Sequence, residues 1–192
     1  MPYLAIAQAP NTIPDVKPIG ELLWRSMPTI AKEHTGSVKI LKAGVTFEES
    51  GRLVKGDFVL DMKSISCQHA GSKELIQDFE NHLKSSDFFW TDKFPEAKVS
   101  FIGSWYSFNP IESNQYSLAV LLQVKGDTKT MYLPARVVID ENGMLEIRTK
   151  LSVDRNLKTN HTSNASFLSS KDEIIVDELE ISIRIDLKAI GC

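Results

Sequence analysis

Four histidines and two cysteines are the residues of this chain best suited to metal binding or to proton and group transfer. His34, His69, His82 and His161 are spread along the sequence, and no two have the close spacing that a metal-binding helix or loop presents. A catalytic trio would have to be assembled from distant loops, so solvated or hydrogen-bonding imidazoles are the default. Cys67 and Cys192 are far apart and neither sits in a pair with metal-ligand spacing. Two free thiols are expected, since a disulfide between them cannot be read from spacing. There is no Gly-rich phosphate loop, no Cys-x-x-Cys and no elbow-type serine. The expectation is a protein without enzymatic activity, metal or resident cofactor; the rival is a hydrolase or metal-dependent enzyme using loop histidines.

The remaining residues with functional potential are apolar, apart from one arginine. Arg155 falls in phase with Leu151 and Val153, on what should be an inner face. An unpaired buried guanidinium is severely unfavourable, so it either holds the polar head of a ligand or ties two strands through a carboxylate such as Asp61 or Asp177. Phe88 and Phe89 either line the mouth of a cavity or pin a helix to its surroundings. The stripes Phe58, Leu60, Met62 and Phe101, Trp105 either line a tunnel or fill a dry core.

The elements that would position these groups are strands. After an arm spanning residues 1–19, with Pro2, Pro10, Pro14 and Pro18 and no periodicity, Gly20 to Met27 reads as a first strand carrying Leu22, Leu23 and Trp24. Lys32 to Gly36 reads as a turn leading into Ser37 to Glu48. There, Val38 and Ile40 share one face and Leu41, Ala43, Val45 and Phe47 the other, so a bend or bulge is expected at Gly44. Beyond a turn at Glu49-Ser50-Gly51, Val54, Gly56, Phe58, Leu60 and Met62 alternate with charged residues. The period then changes: Leu75, Ile76, Phe79 and Leu83 recur at three- and four-residue steps behind Ser72, which predicts an N-capped amphipathic helix ending near Ser85 and Ser86.

Alternation resumes in Ala97 to Trp105, Tyr116 to Val124, Met131 to Ile139, where Pro134 marks an irregular or unpaired position, and Leu145 to Val153. Asp140-Glu141-Asn142-Gly143 is a strong turn. Residues 156–172 form a long polar loop, and Leu179 to Leu187 alternates most cleanly of all. Eight antiparallel strands with no repeat favour closure into a barrel, which removes the exposed edges of an open sheet.

Composition agrees. The 192 residues, 42% hydrophobic and 24% charged, suit one globular domain. A net charge of −3, with both signs interleaved, gives no electrostatic case for nucleic acid or for an anionic membrane surface. No run approaches the roughly 18 apolar residues of a spanning helix. Ala5-Ile6-Ala7 is similar to the small-residue end of a secretory signal, although the stretch is short and lacks a basic leader.

Several segments, in order along the chain, resemble the YceI-like family, lipocalin-like barrels associated with binding polyisoprenoid or other amphipathic lipids. They are Lys32-Glu33-His34-Thr35-Gly36-Ser37-Val38, Gly56-Asp57-Phe58 with Asp61-Met62-Lys63-Ser64-Ile65, and, most specific, His82-Leu83-Lys84-Ser85-Ser86-Asp87-Phe88-Phe89 followed by Phe94-Pro95-Glu96-Ala97. Val124-Lys125-Gly126-Asp127-Thr128-Lys129, Asp154-Arg155 and Asp177 match more weakly. After Arg155 the chain has Asn156-Leu157-Lys158-Thr159 where the family would have a threonine, an aromatic and a glycine, so the Arg155 loop departs from the pattern.

The resemblance implies an all-β fold, an eight-stranded antiparallel lipocalin-like barrel over residues 20–192 with one short α-helix capping an end. It implies non-enzymatic carriage of an apolar or amphipathic chain, of isoprenoid, quinone-like or fatty-acid-like type. Ligand contacts are then expected from Trp24 and Phe47, from Phe58, Leu60 and Met62, from Phe79, Leu83, Phe88 and Phe89 at the cap, and from Phe101, Trp105, Leu151 and Arg155. No nucleic acid or membrane-spanning segment is expected; a homodimer is left open, as is a dry barrel serving protein contacts. The family suggests a periplasmic or secreted protein, and a cytoplasmic one follows if the chain is complete as written.

Overall fold

The computed structural model describes residues 19–27, 33–49, 51–68, 72–106, 115–152 and 178–190. The strands are β1 (Gly20–Met27), β2 (His34–Phe47), β3 (Leu53–Cys67), β4 (Glu96–Tyr106), β5 (Gln115–Val124), β6 (Asp127–Ile139), β7 (Met144–Ser152) and β8 (Glu178–Asp186). Each pairs antiparallel with the next, and β8 pairs back onto β1 from Gly20↔Ile185 to Met27↔Glu178, closing an eight-stranded barrel. Helix α1 (Lys73–Lys84) lies in the β3–β4 connection, and a short 3₁₀ turn at Leu187–Ile190 follows β8.

The connections sort the two ends. At one end lie α1, the β5–β6 turn at Lys125-Gly126, and the last residue of β7 beside the first of β8; this is the helix end. At the other, the hairpin end, lie the β2–β3 and β6–β7 turns. The expected turns form at both: Gly51 and Gly143 adopt φ of +80° and +85°, and the Asp140 carboxylate accepts from the backbone N–H groups of Asn142 and Met144.

Bulges correct the simple alternation in four places. In β2 the register shifts between Ile40 and Lys42, so the extra residue is Leu41 and not Gly44. That shift turns Val38, Ile40, Ala43, Val45 and Phe47 all towards the core, which reconciles the two apparent faces. A second shift beside Phe47 makes Leu53 the fully buried residue of its corner and leaves Val54 only half-buried. Near the helix end of β3, Val38 alone faces the stretch from Met62 to Ile65. Ser64 ties this bulge down, its hydroxyl donating to the Asp61 carbonyl (2.7 Å) and accepting from the Lys39 N–H (2.8 Å). The phase change brings Ile65 and Cys67 inward after Met62. In β4 the shift falls at Ile102, between Phe101↔Val120 and Gly103↔Ala119. His34, Thr35 and Gly36, expected in a turn, are already part of β2.

Pro134 closes the pairing between β6 and β7 as its missing N–H requires: among the described residues that ladder runs from Ala135↔Thr149 to Ile139↔Leu145, and the Thr149 hydroxyl donates to the Pro134 carbonyl at 2.8 Å.

Helix α1 begins at Ser72, whose hydroxyl accepts the Leu75 N–H, and stops at Ser85, whose N–H and hydroxyl both donate to the His82 carbonyl. Leu83 is buried and Phe79 packs against the core, as the three- and four-residue spacing predicts; Leu75 is 66% exposed, so the apolar face covers less of the first turn than the periodicity suggests. Glu80 fixes the helix to the barrel by accepting the Cys67 N–H at 2.8 Å. Burial, with Glu80 adding, pushes the Cys67 thiol up and keeps it protonated.

On the outer wall, Glu146 accepts from Ser182 (2.8 Å), Arg148 (3.0 Å) and Arg184 (3.1 Å). Burial pushes its carboxyl up, but these donors outweigh burial and hold it below its ordinary 4.5. A depressed folded value means that the stabilisation is present above that ordinary value and is lost as pH falls through the folded one. Glu146→Gln is therefore expected to lower stability by about 1 kcal/mol at neutral pH, and urea unfolding repeated near about pH 3 should show the gap between variant and parent narrowed.

Candidate functional site

The interior is unevenly buried. Its middle and the β7–β8 side of the hairpin end are sealed, whereas Ala43, Val45 and Phe47 of β2, which also face inward and run towards the hairpin end, are half-buried. Phe58, Ile40, Leu53, Leu118, Leu145 and Ile185 are at most 1% exposed, and Phe58 meets Phe101 edge to face at 5.4 Å. Each such side chain contributes roughly 1.5–3 kcal/mol by leaving water. Towards the helix end a second set of inward apolar residues is half-buried: Trp24 in β1, Leu122 and Val124 in β5, Leu179 and Ile181 in β8, with Phe79, Phe88 and Phe89 from the cap.

Ladder registers define this mouth. Trp24 stands opposite Gly36 on one side and Ile181 on the other, and Ser26 stands opposite His34 and Leu179. The indole lies across Gly36, where any Cβ would overlap both the ring and the Ser66 carbonyl oxygen. The Trp24 indole N–H is buried and has no hydrogen-bond partner among the described residues, a donor stranded in an apolar wall. The His34 ring stacks on Phe79 at 4.9 Å and 13°, and the buried Ser26 hydroxyl bridges to the His34 backbone. His82 lies against Phe88, 6.0 Å between centroids, so each described histidine is covered by an aromatic ring. Among the described residues no three of His, Cys, Asp and Glu converge as metal ligands would.

The segment after α1 forms a compact lip. Phe89 N–H donates to Leu83, Trp90 to Ser85 (2.7 Å) and Thr91 to Lys84, while Phe88 and Phe89 meet edge to face at 4.6 Å. The lip is anchored to the neighbouring β5–β6 turn, where Lys125 donates to the Ser86 carbonyl (3.0 Å) and Phe94 packs on Gly126.

The expected ligand-contacting residues therefore divide. Trp24, Phe79, Phe88 and Phe89 are gathered half-buried at the helix end, with Leu83, Met62 and Leu151 buried behind them. Leu60, Phe58 and Phe101 run back into the packed interior, and Phe47 lies opposite Leu53 at the hairpin end. Trp105 is in β4 with its side chain outside the described residues, and Arg155 and Asp177 lie outside them altogether. Leu179, Ile181, Leu122 and Val124, not singled out in the sequence, join the mouth; the even alternation of β5 and β8 was the signal that could have found them.

A groove of about 690 Å³ lies on the outside of the barrel near the hairpin end, between outward-facing Glu21, Lys39, Glu146 and Arg184. It is crossed by the Glu146–Arg184 ion pair and is also lined by Ile19, Val138 and Met144.

The fold is similar to that of BcnA from Burkholderia cenocepacia, with 18% identity and a TM-score of 0.54 over 86% of this chain and 94% of that one. It is also similar to the YCEI protein of Campylobacter jejuni, with 15% identity and a TM-score of 0.52 over 96% and 91%. No curated protein matches the chain by sequence. The profile of the YceI-like domain matches residues 21–187, the whole barrel from β1 to the end of β8, and the chain belongs to the YceI-like family.

Proposed function

We propose that the barrel binds a single apolar or amphipathic chain, isoprenoid-like, quinone-like or fatty-acid-like, entering at the helix end and lying against Trp24, Ile181, Leu179 and the phenylalanines of the cap. The observation that carries this reading is the cluster of half-buried apolar residues, Trp24, Leu122, Val124, Leu179 and Ile181, gathered with the phenylalanines of the cap at the helix end of a closed barrel. Each methylene taken from water contributes about 0.8 kcal/mol, offset by the freedom a flexible tail loses. No bond is made or broken. Phe88 and Phe89, on the lip that roofs the mouth, stand where the chain would enter and leave.

The stranded indole N–H of Trp24 supplies the polar contact: an alcohol, carbonyl or phosphate oxygen at the head of the ligand would satisfy it. Extraction of the purified protein into organic solvent, with native mass spectrometry, should recover a lipid of defined mass. A protein that extracts empty and takes up no fluorescent polyene in titration would end the carrier reading. Trp24→Phe keeps an aromatic ring, though a smaller one, and deletes the donor. It is expected to weaken an oxygen-headed isoprenoid by roughly fivefold more than it weakens a hydrocarbon polyene. Equal losses for both ligands would remove the head-group role. A second reading, self-association as a homodimer, draws on exposed Ile102 and Tyr132, on the two strands that flank β5.

A further inference from the structure

We infer that the lip at residues 85–94 docks on the surface of a phospholipid bilayer with Trp90 as its anchor, an inference that rests on the carrier reading and names where the barrel meets its source of lipid. Trp90 is held at φ +49°. That left-handed region suits glycine, asparagine or aspartate, and a bulky residue there is an outlier. Its N–H donates to Ser85, and its carbonyl accepts from both Lys93 (3.0 Å) and Phe94 (2.9 Å), so the backbone cannot relax without breaking the lip. The strain does not serve to bury the ring, which leaves Trp90 38% exposed while Thr91 beside it is 3% exposed.

The surroundings specify the partner. Lys93 places its ammonium 4.2 Å from the indole centroid, and Phe94 meets the ring edge-on at 5.9 Å. An indole with a lysine ammonium over one face is the kind of amphipathic pair found at the depth where a bilayer changes from hydrocarbon to head group. Within residues 85–94 the acids Asp87 and Asp92 outnumber the single base Lys93, and of the lysines beside the lip Lys84 is within reach of Glu80 and Lys63 of Asp92. The chain as a whole carries −3. The anchor is therefore apolar, and its hold should depend little on salt. Phe88 and Phe89, the two residues before it, pack against the core, so one short aromatic run leads from the bore to the solvent. A lipid tail leaving a membrane beside Trp90 would reach the mouth with little of its length exposed to water.

The test is co-sedimentation with phosphatidylcholine vesicles, with and without phosphatidylglycerol, at low and high salt, alongside polyene titration in vesicle-free buffer. The parent should pellet with both vesicle types at both salt concentrations. Trp90→Asn, which accepts the left-handed backbone, should unfold at the same or a higher urea concentration and bind polyene in solution as the parent does. It should nevertheless partition onto vesicles at least about fivefold more weakly, and Trp90→Phe should keep most of the binding. A parent that stays in the supernatant, or an asparagine variant that pellets like the parent, overturns the docking surface and leaves the carrier reading standing. Failure of the parent to bind polyene in solution overturns the carrier reading first, and the inference with it.

Discussion

Phe58→Ala is expected to cost about 3–5 kcal/mol of stability while leaving the affinity for a fluorescent polyene within about twofold of the parent, a difference under 1 kcal/mol. Phe58 is 1% exposed, meets Phe101 edge to face, and lies in the sealed part of the interior. Deleting its ring removes a large apolar surface from the core and leaves a void that a closed ladder on both sides cannot collapse to fill. A single domain has only about 5–15 kcal/mol in hand, so the midpoint of urea unfolding should fall sharply at unchanged slope. Phe58 was among the residues expected from sequence to touch ligand, and the outcome separates wall from filler. A variant of near-parental stability that no longer takes up polyene would mean that the bore continues to Phe58, and that the division of the interior proposed above is misplaced.

Gly36→Ala should disturb both stability and binding. Gly36 faces inward between Trp24 and the Ser66 carbonyl, and a methyl group would overlap both. The carbonyl belongs to the paired β3 strand and has no room to yield, so the indole must turn away or the strands part. Overpacking of this kind typically costs about 1–3 kcal/mol, occasionally more. Because the displaced ring is itself part of the mouth, the dissociation rate of polyene, followed by stopped-flow, should rise together with the loss of stability. Phe58→Ala and Gly36→Ala thus predict opposite patterns, stability alone against stability with binding. A Gly36→Ala protein as stable as the parent would contradict the close approach of Trp24.

Much of the architecture was open to reading before any coordinate. In β8, Leu179, Ile181, Ile183 and Ile185 alternate without interruption, and the strand has no bulge. For α1, the serine at the N-cap and the spacing of Phe79 and Leu83 located the helix to within a residue or two of its ends. The segments from His82 to Phe89 and from Phe94 to Ala97 carried the family, and they form the lip and the start of β4. Where alternation failed, at Leu41, at Met62 to Ile65 and at Ile102, a bulge had inserted residues on one strand only. A bulge is a relation between two strands, and counting along one strand cannot detect it.

The site was less legible than the fold. The expected ligand contacts were inward-facing apolar residues, and most of those described do face inward; but in a single chain Phe58, sealed, and Trp24, at the mouth, look alike. Nothing local to Trp24 reveals that its indole nitrogen is stranded, or that Gly36 exists to let the ring lie flat. Nor does the sequence around His34 tell that its ring stacks on Phe79 of α1, 45 residues further along the chain. By itself the sequence determined which side chains could leave water and at what period, because hydrophobic patterning acts through neighbours along the chain. Only the tertiary structure decided which of them seal the interior and which stay half-exposed at its ends, because that depends on ring closure and on where the helix and its lip come down on the barrel.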